Sequence, residues 1–336
     1  MGFFKYLMAF VLPALAFLGF ELGYVFSYFT LLFAFGVIPF FEWKWKPNHS
    51  NFQAESVKSS LWFKVLLYLT LPTQLLLLYL YFSAQLNTNI NLLEWVGNLT
   101  AMGIMCGVFG INVAHELGHS PNFVDRLVAR ILLSTSLYMH FYVEHNKGHH
   151  KWIGTPQDPA TARKNESVYR FWLRVIPGSY ASAWRISMSE CKRKNRSVLL
   201  NETFLYSVFQ FAICLALFIW NPIAFWAFLT AALLGAMLLE SVNYIEHYGL
   251  TRKRVNDNRY EKVAPEHSWN SDHMLGRVVL FELSRHSDHH ANPERSYQDL
   301  RTLETSKQLP FGYPAMIVLA LFPAKWFQVM NPLLDD

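Results

Sequence analysis

The chain has 336 residues, 52% of them hydrophobic and 16% aromatic, while charged residues are only 16%, well under the ~25% of an ordinary soluble domain. That balance argues against a soluble enzyme and for a membrane protein; the net charge of +5 matters less than where the charges lie. The three cysteines, Cys106, Cys191 and Cys214, include no Cys-x-x-Cys pair, which excludes a thiolate zinc site, an iron–sulfur cluster or a fused rubredoxin-type centre, each needing about four thiolates.

In chain order, apolar stretches of the ~17–25 residues that cross a bilayer are predicted at 3–20, 23–41, 61–83, 93–114, 203–220 and 222–242. The first is read as a retained helix and not a signal peptide, because its apolar run continues past Ala14-Leu15-Ala16 and a second span follows at once. The connections Glu21-Leu22, Ala84–Asn91 and Asn221-Pro222 contain no Lys or Arg. The opposite side carries Lys5, Lys44, Lys46 and Lys58, the basic segment 120–202 and the region from 251 onward. Lys and Arg mark the cytoplasmic side, so both termini are expected there. Segment 168–188 alternates aromatic and basic residues (Tyr169, Phe171, Trp172, Arg174, Trp184, Arg185) as a helix at headgroup level would. Stretch 311–330 is apolar but interrupted by Pro314 and Pro323, and is read as interfacial or as packing beneath a site, not as a seventh span. The expected fold is an all-α membrane protein, residues 1–336 forming one catalytic domain whose cytoplasmic cap consists of 115–202 and 243–336.

Nine of the thirteen histidines fall in four clusters on that predicted side: His115/His119, His145/His149/His150, His247, and His286/His289/His290. Histidines three and four apart share a helix face, so each cluster is expected to present its rings together. A single ion seldom takes more than about six ligands, so nine candidates imply two ions. Imidazole suits Zn, Cu, Fe and Ni. A lone histidine is more often a packed or surface residue than a ligand, and that reading is kept for His49, His140 and His267; His273 is a candidate for a hydrogen bond behind the ligands. Glu116, Glu144, Glu246 and Asp288 each neighbour a clustered histidine, and Asp158 lies in Pro156-Gln157-Asp158-Pro159. These five carboxylates are expected to orient ligating rings by accepting their other N–H. One alternative stays open: His115-Glu116-Leu117-Gly118-His119 matches the His-Glu-x-x-His of zinc proteases, with Glu116 as general base. It would leave the other clusters unexplained. A metal transporter would place ligands near the bilayer midplane in related halves, and no repeat is visible.

The three boxes His-x-x-x-His, His-x-x-x-His-His and His-x-x-His-His, with Asn243-Tyr244-Ile245-Glu246-His247-Tyr248-Gly249-Leu250, resemble those of the integral-membrane alkane monooxygenases, within the wider group of membrane non-haem di-iron hydroxylases and desaturases. Supporting stretches are Glu144–His150, Thr155–Arg163, His267–Asn270 and Leu283–Leu300; Ser120 and Glu266 depart from the family pattern outside the boxes. The resemblance covers most of the chain. It implies six transmembrane helices in the bacterial inner membrane with a cytoplasmic catalytic cap, and two irons held by the nine histidines. It further implies terminal hydroxylation of medium- to long-chain n-alkanes with dioxygen and two electrons from rubredoxin and its reductase, and no nucleic-acid partner. The residues agree on one point independently: without a Cys-rich module, electrons must arrive from a separate protein. Lys192-Arg193-Lys194 and Arg196 form a basic patch that would attract an acidic donor, although such charges also satisfy the inside-positive rule. The aromatic second span (Phe26, Tyr28, Phe29, Phe33, Phe35) is a candidate channel wall or, equally, a lipid-facing surface; Ala34 is its small residue.

Overall fold

A computed structural model describes residues 2–51, 57–257 and 259–334, with side chains of the third span described from Leu61 onward; the side chain of Lys58 is outside the described residues. The chain is mostly helical. Among the described residues, six helices are long and apolar enough to cross a membrane: Phe4–Leu22, Tyr24–Lys44, Leu61–Gln85, Leu92–Gly118, Glu202–Trp220 and Pro222–His247. Two small ribbons depart from the all-α expectation, Arg254–Asn256 with Arg259–Tyr260 and Trp269–Asn270 with Lys307–Gln308.

Local sequence explains the breaks. Gly23 adopts a φ of 64°, which a side chain would resist, and separates the first two spans. Asn91 accepts from Glu94 N to start the fourth span, and Asn201 accepts from Phe204 N to start the fifth. Only Asn221 divides the last two spans. Its extended backbone (φ −161°, ψ 118°) is what a residue before proline favours, and its side chain accepts from Ile223 N at 2.8 Å.

The fourth span is the centre of the bundle, and it packs most closely on the sixth. Small residues allow this. A Cβ at Gly235 would stand 2.5 Å from Cys106 Cβ and 3.1 Å from Gly107 N. With no hydrophobic driving force between helices inside lipid, such close backbone approach and its dispersion contacts supply the association. It also sets the histidines, because His115 lies in the last turn of the fourth span and His247 ends the sixth.

The segments after the spans fold over these two helix ends. Helix Val168–Arg193 buries Val168, Phe171, Val175, Ser179, Ser182 and Ala183 at helical spacing and exposes Tyr169 and Leu173. The stretch 311–330 splits into short helices Tyr313–Ala320 and Pro323–Met330, which bury Tyr313, Met316, Ile317 and Trp326 against the sixth span's lower half and its neighbours. It packs beneath the histidines.

Gly235→Leu should wedge the fourth and sixth spans apart. Overpacking of this kind costs roughly 1–3 kcal/mol, so the thermal unfolding midpoint in detergent should fall, together with bound metal.

Candidate metal centre

Nine imidazoles meet where the fourth and sixth spans end. They form two groups, each with its ligand atoms within 4.8 Å of one another: His115, His119, His145, His150 and His289 in one, and His149, His247, His286 and His290 in the other. All nine clustered histidines are thus brought together, but the clusters are not kept intact. His145, His149 and His150 lie on a widened helical turn in which His150 N–H donates to His145 O, five residues back. A turn of that width returns residue i+5 to the face of residue i. His145 and His150 therefore share a group while His149 turns to the other. Likewise His286 and His290, four apart, stay together while His289 faces away with the first group. The expectation that each cluster presents its rings to one place holds for His115 and His119 alone.

Ring nitrogens converge closely. Nε2 of His145 and His150 are 2.9 Å apart, of His150 and His289 3.2 Å, of His286 and His247 3.1 Å, and of His286 and His290 2.8 Å. Nε2 of His115, His119 and His149 is buried without a hydrogen-bond partner. Burial and then neighbouring rings hold His119, His145, His150, His286, His289 and His290 well below the usual histidine range. Neutral rings with lone pairs converging at these distances form a donor set for cations of the transition series. The residues present thus fit two metal ions.

The carboxylates near the histidines sort into four kinds. Asp158 Oδ2 lies 3.0 Å from His149 Nδ1, and so accepts its proton and leaves Nε2 turned inward. Burial disfavours the His149 cation, but Asp158 outweighs this and raises its pKa. Asp158 is itself held by Thr161 Oγ1 at 2.6 Å and Ala160 N at 3.0 Å. Its loop is clamped by Arg174, which donates to Pro159 O, Thr161 O and both oxygens of Glu166. Glu246 Oε2 lies 3.3 Å from His286 Nε2, and Tyr313 OH donates to its Oε1 at 2.8 Å. Glu144 is buried beside Gly148, where a Cβ would stand 2.7 Å from its Oε1; burial and then the charge of Asp158 push its carboxyl up to about 8. Glu116 and Asp288 depart from the expected role of orienting a ring. Glu116 accepts from Tyr297 N at 2.9 Å. Asp288 accepts from Asn292, Arg295 and Arg301 N and so fastens the loop after the last box. Sequence reasoning missed Arg174 as a clamp, Thr161 and Tyr313; only the basic-aromatic pattern flagged Arg174 at all.

The remaining histidines lie apart from the two groups. His49 pairs with Asp272, His267 with Glu261 and Ala264 N, and His273 with Ser271. His140 packs against Tyr138 and Tyr180, and burial lowers it to about 4.

Two openings of opposite character approach the centre. One is a narrow apolar cavity among Leu12, Ala34, Phe35, Ile38, Ile104, Val108, Leu238, Val242, Leu280, Leu283 and Ile317, with Asn112 and Tyr313 as its polar exceptions. Its walls lead into the boxes: Asn112 is one turn before His115, Leu283 precedes His286, and Tyr313 holds Glu246. Of the five aromatic residues considered for a channel wall, only Phe35 lines it. Phe26 and Phe29 pack edge to face on each other, and Tyr28 OH donates to Leu93 O. The second span is mostly peripheral and offers one stripe inward. The other opening, about 170 Å³, is polar, with Lys64, Glu116, His119, Asp125, Arg295 and Gln298 in its wall.

Asp158→Asn should leave His149 free to take the wrong tautomer. Loss of such a hydrogen bond typically weakens metal binding ~10–100-fold, measurable by titration with a chelator, with the secondary structure unchanged by circular dichroism.

A fatty acid desaturase family model matches residues 90–320, more than half of the chain. The alkane 1-monooxygenase 1 of Alcanivorax borkumensis is 40% identical over 316 residues, 91% of this chain and 76% of that protein. The alkane 1-monooxygenase of Ectopseudomonas oleovorans is 38% identical over 321 residues, 93% of this chain and 79% of that protein. The hydroxylase component of a xylene/toluene monooxygenase from Pseudomonas putida is more distant, 25% identical over 248 residues. With six apolar helices and nine converging imidazoles, this chain belongs to the fatty acid desaturase family of membrane enzymes and, within it, to the alkane 1-monooxygenases.

Proposed function

We propose that the protein hydroxylates the terminal carbon of medium- to long-chain n-alkanes to give primary alcohols, using dioxygen and two electrons from a rubredoxin-type donor served by its reductase. The observation that carries this is the apolar cavity whose wall includes Asn112, three residues before His115, and Tyr313, the partner of Glu246. An alkane has no polar handle, so only shape and dispersion can orient it. A cavity walled by aliphatic side chains beside the histidine-bearing helices would admit one end of a chain and keep internal carbons away, which favours terminal attack. Ala34 and Phe35 shape the entrance from the second span.

His115, His119, His145, His150 and His289 would hold one iron, and His149, His247, His286 and His290 the other. Bound iron would supply the activation of dioxygen and the oxidising power to break a terminal C–H bond, chemistry that no side chain provides. The chain's own contribution is positional. Asp158 holds the His149 proton on Nδ1. The aliphatic walls exclude water from the reacting end. The polar opening beside His119 gives protons and water a separate route.

Residues 1–336 act as one integral-membrane unit, with termini and centre on the cytoplasmic face of the bacterial inner membrane, where the Lys and Arg bias puts them. The donor docks on exposed Lys192, Arg193, Lys194 and Arg196. This patch is coupled to the site, because Glu190 pairs with Lys147 at 2.8 Å within the His145–His149 turn. Charge complementarity would speed the encounter with an acidic donor, and added salt should slow it.

The test is to purify the protein in detergent, count metals, and supply octane, dioxygen and a rubredoxin system. About two irons per chain and 1-octanol are expected, with turnover lost in His289→Ala. One zinc and no oxygen-dependent turnover would overturn the reading and restore Glu116 as a hydrolytic base. Filling the cavity at residue 34 should shorten the preferred substrate by several carbons in Ala34→Trp; an unchanged chain-length profile from competition assays would remove residue 34 from the wall of the substrate path.

A further inference from the structure

Asp158 and Glu246 both sit beside histidines, but they touch opposite sides of the imidazole. Asp158 reaches Nδ1 of His149, the nitrogen turned away from the centre, while Nε2 of that ring faces inward. Glu246 Oε2 instead lies 3.3 Å from Nε2 of His286. That same Nε2 is 3.1 Å from His247 Nε2 and 2.8 Å from His290 Nε2. The carboxylate therefore borders one convergent nitrogen from the edge of the group, whose mutually close ligand atoms are histidine nitrogens alone.

Its surroundings agree. Glu246 is 1% exposed, and among the described residues no Lys or Arg pairs with it. A buried carboxylate without a cationic partner is costly, and a metal ion at the convergence of these nitrogens is the compensating charge that the geometry offers. Chain geometry lets adjacent residues serve one centre: His247 is the last helical residue, Tyr248 leaves helical geometry, and Glu246 reaches across to His286 on a different segment. The two histidine groups are also unequal, five against four. A carboxylate beside the group of four would give each metal five protein donors.

We propose that Glu246 is a direct ligand of the metal held by His149, His247, His286 and His290, and that Tyr313 is a positioning residue that tethers it. This rests on the metal reading above. Tyr313 donates to Glu246 Oε1 at 2.8 Å, and its ring lines the apolar cavity. The tether thus links the space where hydrocarbon would lie to the ligand set of one metal.

The test uses the full-length enzyme loaded with iron, compared by Mössbauer spectroscopy and iron content as wild type, Glu246→Gln, Glu246→Ala and Tyr313→Phe. Glu246→Gln keeps the shape and removes the charge. The proposal expects one of the two iron signals to change in Glu246→Gln while the other stays as in wild type. Acetate added to Glu246→Ala should restore the parent signal, which a residue that only packs would not allow. Tyr313→Phe should shift the same signal without loss of iron. Wild-type protein holding two irons whose signals both persist unchanged in Glu246→Gln would overturn the proposal. Wild-type protein that holds no iron would overturn instead the metal reading on which it rests.

Discussion

The structure depends on neutral imidazole nitrogens pointed at one another 2.8–3.2 Å apart inside protein. Converging lone pairs repel, and burial keeps most of these rings from taking up protons to relieve it. N–H···N hydrogen bonds can relieve this only pair by pair, so where several nitrogens meet positive charge between them favours the arrangement, and the surrounding protein must hold the rings in place beforehand. Several devices do so. The close-packed fourth and sixth spans fix His115 and His247. The widened turn at His145–His149 distributes three histidines to two sides. Arg174 ties down the loop that delivers Asp158.

The last box is aimed by a more strained device. Phe281 and Glu282 both adopt positive φ, 51° and 59°, where a side chain costs about 1–3 kcal/mol. Buried ion pairs hold this reversal: Glu282 with Lys5 at 2.8 Å and with Arg277 at 2.6 Å, while Arg285 donates to Leu300 O and Ser50 O. Tyr6 OH adds a hydrogen bond to Glu282 from the first span. An N-terminal span and a C-terminal histidine box are thereby one mechanical unit, although 276 residues separate the partners.

The centre is asymmetric toward its surroundings. His119 and His150, both in the group of five, are partly exposed, His119 in the wall of the polar opening, whereas all four histidines of the other group are buried. The buried group also contacts Glu246, and through Tyr313 the apolar cavity. The apolar cavity thus borders the tether of the buried group, while the polar opening borders His119 of the other group.

Much of this was legible in the sequence, for physical reasons. A span announces itself because every residue over its length must tolerate lipid, so composition alone fixes the six helices. Histidine boxes are legible because ligands from one helix recur at fixed spacing. Spacing could not say how the boxes divide between two groups, since His150 follows a turn wider than an α-helix and His289 faces away from His286. Nor could adjacency along the chain assign the acids. Glu116, Glu246 and Asp288 are equally close to a histidine in sequence, yet only Glu246 touches one, and Glu116 and Asp288 fasten the segment after the last box instead. The aromatic second span shows the same limit: periodicity marks an apolar helix, but which stripe faces a cavity depends on what packs against it. Chemistry type was written locally in residue identity, while ligand partition, carboxylate roles and the substrate path were decided by contacts between segments more than a hundred residues apart, which no local pattern encodes.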